Sequence, residues 1–236
     1  MGYLKQLITL SMFITFLITA ILPAAYANDI YITQSGNSLD LDITQTGSTN
    51  KIGTSVTGVT LVGANMTMNI SQVGDSNVVS AIIKGATYSG TFAITGNSNT
   101  VTLLCDSAGA GKCDTVTLAV NIAASSATVT VTVGENADAE TFTGNIDITS
   151  SASETVSLTV DGEDATVDLD VSNSLGLTGN TSTIAITGNG STGHTLTHNH
   201  TGAGGTFNLT QSGNNNKIIN LTTSGDSHTV DITQQD

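Results

Sequence analysis

Proline is nearly absent: of 236 residues only Pro23 is one, and it lies close to the start. The chain has no Trp and no Arg, its five basic residues are all lysine, and no apolar run past residue 22 is long enough to cross a membrane as a helix. Each absence excludes something. Without proline, every backbone N–H beyond residue 23 is free to join a hydrogen-bonded ladder, which favours strands. Lys51, Lys84, Lys112 and Lys217 are the cations beyond the first segment, against a net charge of −14. Such a surface repels nucleic acid, whose binding demands basic patches. The same scarcity removes the basic residue that polysaccharide-cleaving β-helices set beside their carboxylates. No nucleophile–His–Asp set and no phosphate loop can be assigned, so neither enzymatic activity nor a cofactor is expected.

What is present begins with an address. Lys5 precedes an apolar run over 7–22, and Ala25-Tyr26-Ala27 offers a small-x-small cleavage site. That is the build of a secretory signal peptide over 1–27, cut after Ala27. The alternative is a retained anchor, but the run falls short of the ~20 residues that span a bilayer comfortably. The mature chain, 28–236, is then a single exported domain without a membrane span, secreted or held at a cell surface. Thr is its commonest residue, followed by Gly and Ser. Thr beside Val and Ile favours strands, and low charge without proline marks segments prone to cross-β stacking. The fold class is all-β.

One pattern organises the domain. LDITQTGSTN at 41–50 returns as MNISQVGDSN at 68–77 and FNLTQSGNNN at 207–216. In general form it is Φ-x-Φ-[TS]-Q-x-G-x-x-N, with Φ apolar. Leading apolar residues fall at Leu41, Met68, Phe92 and Val116, then at Ile184, Phe207 and Val230, in steps of 23 to 27 residues. The interval from Val116 to Ile184 has room for three more units. A period in the twenties indicates a solenoid or array. The expectation is a β-solenoid of about nine strand–turn–strand rungs.

Strand parity says what faces inward. Leu41, Ile43, Gln45 and Gly47 share a face, as do Met68, Ile70, Gln72 and Gly74, and Phe207, Leu209, Gln211 and Gly213. The apolar members identify that face as the core, so the glutamines are inside and need partners. Stacking Gln over Gln supplies them. Gly at the turn permits positive φ, Asn50, Asn77 and Asn216 can bond the turn backbone, and Ile52, Val79 and Ile218 resume the apolar face. FAITGNSNTV at 92–101 and IAITGNGS at 184–191 read as weaker copies that skip two residues and lose the Gln.

These features resemble the curlin repeat family, the subunits of bacterial curli fibres. Gln45-Gly47-Asn50, Gln72-Gly74-Asn77 and Gln211-Gly213-Asn216 match the centre of its repeat, Gln34-Gly36 matches it in part, and Gln234 matches a last truncated copy. The leading Ser is replaced by an apolar residue, the second Gln is absent, and over about 100–183 the alternation persists without the Gln/Asn signature. The resemblance implies a secreted amyloid-type fibre subunit serving matrix and adhesion, with the curli-type secretion machinery as partner.

The degenerate middle carries different chemistry. TVTLAV, ATVTVTV, ETVSLTV and ATVDLDV alternate as half-buried strands, with Asp168 and Asp170 facing out. From Glu135 to Asp170 there are ten carboxylates and no basic residue. An acidic face keeping a sticky protein soluble explains them; calcium held by stacked carboxylates is the alternative. Cys105 and Cys113 flank DSAGAGK, and in an exported chain they point to a disulfide, with free thiols or a redox pair as the other reading. His194, His198 and His200 share one strand face. Zn²⁺ or Cu²⁺ could sit there, but Leu196 interrupts them and no nearby carboxylate orients the rings, so surface or partly stacked histidines are the plainer expectation and no metal is assigned.

The functional expectation is a structural subunit that joins end to end, since ITQSG near the start and ITQQD at the end look alike. The alternative is a monomeric β-solenoid surface adhesin, or a fibre segment that does not polymerise.

Overall fold

The computed structural model describes residues 28–53, 59–105, 113–134, 139–173, 179–213 and 215–236. The signal peptide expected over 1–27 and the DSAGAGK loop between the cysteines lie outside those residues. The described chain is all strand and turn. Its strands are β1 (Asn28–Ile30), β2 (Thr33–Ser35), β3 (Asp40–Thr46), β4 (Thr49–Ile52), β5 (Val59–Val62), β6 (Met66–Val73), β7 (Ser76–Lys84) and β8 (Thr87–Cys105). There follow β9 (Thr115–Val133), β10 (Ala139–Ser150), β11 (Glu154–Asn173), β12 (Thr181–Thr187), β13 (His194–Thr201), β14 (Thr206–Ser212), β15 (Lys217–Ser224) and β16 (Thr229–Gln235).

Every pairing is parallel, and each strand pairs with the strand one turn on. Two ladders result. The first runs β3, β6, the first half of β8, the first half of β9, β10, the second half of β11, β13 and β15. The second runs β1 and β2, β4 and β5, β7, the second half of β8, the second half of β9, the first half of β11, β12, β14 and β16. The chain crosses between the ladders at each corner. It is a β-solenoid.

One inward position traces the coil: Leu41, Met68, Gly90, Leu118, Gly144, Val167, Leu196 and Ile219 are successive partners along the first ladder. About seven turns separate the first and last of these partners, and a second-ladder strand lies beyond each, β1 and β2 before Leu41 and β16 after Ile219. Partners on adjacent turns lie from 22 residues apart, as Asn77 and Asn99 do, to 29 apart, as Asp170 and Asn199 do.

The core lies between the ladders and is filled from both. In β8 burial alternates on even residues through Ile94 and on odd residues from Asn99. The three corner residues 96–98 reverse the chain direction, so the inward parity flips. Large rings fit a narrow core where glycine makes room: a Cβ on Gly144 would sit 2.7 Å from the Phe142 ring, and one on Gly90 would sit 2.5 Å from the Tyr88 hydroxyl.

The register corrects two readings of the repeat. Phe92 partners Ile70 and Ile94 partners Gln72, while Ile184 partners Leu209 and Ile186 partners Gln211. The weaker copies are thus full-length strands in which Ile replaces Gln, and the length change falls in the turns. Ile218 does not resume the core face; it is 48% exposed, whereas Ile219 stacks beneath Leu196.

Candidate functional site

The feature that distinguishes this coil is where its amides stand. Gln45 and Gln72 stack in the first ladder, with Gln72 Nε2 donating to Gln45 Oε1 at 2.7 Å. Beyond them the same column holds Ile94, Ile122, Ile148, Val171, His200 and Thr223. In the second ladder Gln211 and Gln234 stack, Gln234 Nε2 donating to Gln211 Oε1 at 3.3 Å. Their column is otherwise aliphatic through Ile186, Val160 and Val133. The glutamine pairs therefore sit at opposite ends of the coil and on opposite ladders. Gln34, at the head of the second column, lies over Leu61 and not over another Gln; its Nε2 donates to Gly36 O at 3.2 Å.

A second polar column follows the corner after the first ladder. Asn50 Nδ2 donates to Asn77 Oδ1 at 3.1 Å and to Val73 O at 3.0 Å, and Asn77 Nδ2 donates to Asn99 Oδ1 at 3.1 Å and to Thr95 O at 2.9 Å. Each asparagine thus ties one turn to the next through both its neighbour's side chain and the corner carbonyl. The glycines at this corner are required by close approach: a Cβ on Gly74 would lie 1.8 Å from Gly47 O. Sequence reasoning missed how the column continues. It passes Ala127 to Glu154 and Asn180. Asn180 Oδ1 accepts from the Glu154 backbone N–H at 3.3 Å. The Glu154 carboxyl is buried with both oxygens unpartnered, and burial pushes its pKa up to about 7. A Gln/Asn signature could not reveal a Glu in this role.

Asn216 does not join that column. It precedes β15, is exposed, and its backbone oxygen accepts the His194 N–H at 2.9 Å. The partner position on the preceding turn is Gly193, which has no side chain to stack on.

Of the surface or partly stacked placement expected for the three histidines, the surface part does not hold: all three are buried. His194 Nε2–H donates to Gly188 O at 3.2 Å and His198 Nδ1–H to Leu169 O at 3.0 Å, while Asn180 Nδ2 donates to His200 Nε2 at 3.3 Å. Phe207 faces them, its ring centroid 5.0 Å from His198 and 4.9 Å from His200. Even spacing put them on the inward face of β13, where they fill the core as rings. Burial lowers the pKa of both, bringing that of His200 down to about 4 with help from the neighbouring His198 and His228. Among the described residues no group of three or more His, Cys, Asp or Glu is placed to hold a metal ion.

Part of the acidic middle, Asp147, Asp168 and Asp170, faces outward. Asp147 partners Asp170, and Asn199 Nδ2 donates to Asp170 Oδ1 at 2.7 Å. Burial, then the charge of Asp170, raises the pKa values of Asp147 and Asp168. Cys105 and Cys113 form a disulfide, their Cα atoms 6.0 Å apart and both residues fully buried.

Among the described residues, β15 and β16 pair on one side only, with β13 and β14, and the strand pairings of β1, β2 and β3 are with β4, β5 and β6. Core-facing Val230 and Ile232, on the last strand, are 44% and 46% exposed. At the other end Ile30, Ile32, Leu39 and Leu41 are only partly buried. Among the described residues no helix is long and apolar enough to cross a membrane. No protein-family model, curated protein or solved structure matches this chain.

Proposed function

We propose that the protein is an exported structural subunit of curli-like extracellular fibres, in which copies join end to end and serve matrix and adhesion. The observation that carries this reading is the half-covered core at both terminal turns, whose strands pair on one side among the described residues. Each offers a strip of apolar side chains to whatever arrives. Folded proteins ordinarily blunt such edges with charge, proline or a covering segment. At the C-terminal end the inward positions are instead Ile219, Leu221, Val230 and Ile232. The curlin likeness of the Gln-Gly-Asn repeat supports the same reading, and with it cleavage after Ala27 and passage through a curli-type secretion machinery. The role is structural and not catalytic.

Incubating the purified protein at rising concentration tests this. Thioflavin-positive fibres whose diffraction shows a 4.7–4.8 Å spacing along the axis are expected. A protein that stays monomeric at high concentration, across pH and with or without calcium, is a surface adhesin or capped segment and not a fibre subunit.

A further inference from the structure

We infer that successive copies join with half a turn of rotation about the coil axis, the last turn of one copy (217–236) seating against the first turn (28–47) of the next. This rests on the end-to-end reading above and specifies its geometry. Two arrangements compete. Without rotation, β16 meets β1 and β2 of the next copy, all three lying in the second ladder. With half a turn, β15 meets β1 and β2 while β16 meets β3.

The half-turn is favoured first by the chain path. The last turn runs from the first ladder, β15, to the second, β16, and the first turn runs from the second ladder, β2, to the first, β3. A coil that continued past β16 would next cross to the side of β15. Unrotated stacking puts two strands in succession on the second ladder and leaves a strand-wide gap in the first. Rotation by half a turn leaves none.

The two terminal turns are also the same turn. Residues 28–47 align with 217–236 without a gap, carrying Thr33 on Thr222, Ser35 on Ser224, Gly36 on Gly225 and Asp42-Ile43-Thr44-Gln45 on Asp231-Ile232-Thr233-Gln234. The backbones agree where agreement is hardest: φ is +136° at Gly36 and +130° at Gly225, then +62° at Ser38 and +64° at Ser227. A left-handed serine at matched positions of both corners gives them one shape.

Hydrogen bonding is complementary in the same register. Inside the coil, Gly36 N–H donates to Val62 O and Ser38 N–H to Ala64 O, while Gly202 N–H donates to Ser224 O and Gly204 N–H to Asp226 O. Carried one turn further, Gly225 N–H meets Ser35 O of the next copy and Ser227 N–H meets Asn37 O. The glutamines decide between the arrangements. The half-turn places Gln45 and Gln72 of the next copy directly after Gln211 and Gln234, making one ladder four amides long across the junction. Unrotated stacking places Gln234 against Gln34, whose other neighbour is Leu61.

Cysteine pairs on the outer face read the register. Thr233→Cys with Thr44→Cys, and independently Thr222→Cys with Thr33→Cys, are opposed only in the half-turn. Thr233→Cys with Thr33→Cys is opposed only without rotation. Fibres of each variant are oxidised and their cross-links resolved on non-reducing gels, wild type controlling for the native disulfide. Ladders of dimer and higher species from the first two pairs, in at least tenfold excess over the third, are expected. Fibres that cross-link through the third pair overturn the half-turn while leaving end-to-end growth intact. A protein that forms no fibres, with or without the substitutions, overturns both.

Discussion

Glu154 shows how a single position in a stacked column sets pH behaviour. It stands between Ala127 and Asn180 with its carboxyl buried and unpartnered, and its pKa in the fold is about 7 against an ordinary 4.5. The unfolded chain therefore releases this proton at lower pH than the folded one. The stability that goes with the protonated form is complete below about pH 4.5 and is lost as pH rises to about 7. Replacing Glu154 with Gln keeps the neutral form at every pH. Urea unfolding should show Glu154→Gln equal to wild type at pH 4, and more stable by about 1–3 kcal/mol at pH 8. His200 works with the opposite sign: held neutral down to about pH 4, it weakens the fold as pH falls from about 6.5. A Glu154→Gln gain that did not grow between pH 4 and pH 8 would show that the carboxyl is solvated in solution.

Strands and corners answer to different physics, and the disulfide joins one to the other. Cys105 closes β8 and stacks between Ile83 and Val133, while Cys113 begins the approach to β9. The bond closes a short loop, with a sequence separation of 8, so removing it should cost about 2–3 kcal/mol by chain entropy. A Cys105→Ser, Cys113→Ser variant should lose that much in denaturant midpoint measurements. Wild type should resist mild reductant while folded, since neither residue is exposed. Strand content and inward parity were legible in the sequence, because alternation is a local property and Met68, Ile70 and Gln72 state it plainly. Register was not. Phe92 looked like the counterpart of Met68 because both lead an apolar pair, but only hydrogen bonding to the preceding turn puts Phe92 on Ile70. Ile218 misled for a similar reason: without an asparagine to stack on, the corner at Asn216 admits one more residue before the core face resumes at Ile219. The shared face of the histidines followed from their spacing, while Thr-rich surroundings left surface and partly stacked placements both open.

For the molecule as a whole, a net charge of −14 opposes the end-to-end contact proposed above. The proposed half-turn junction would bring Asp231 beside Asp42, and both are exposed. Like charges on adjacent strands repel, and salt shortens their reach from about 30 Å at 10 mM to about 8 Å at 150 mM. The lag before fibre growth should therefore shorten severalfold over that range. Asp231→Asn should shorten it at low salt and blunt its salt dependence. A lag indifferent to salt in both proteins would place the junction away from these carboxylates.

The hydrogen bonds of this coil run along its axis, so a pull on the two ends of a fibre assembled as proposed would load them in tension. Within one copy, the polypeptide itself threads from each turn to the next and bridges any row that opens. Between copies, in that assembly, nothing covalent would cross. A stretched fibre should then part cleanly at subunit boundaries, leaving every copy folded and both fresh faces able to rejoin, a material that fails by division and mends by contact.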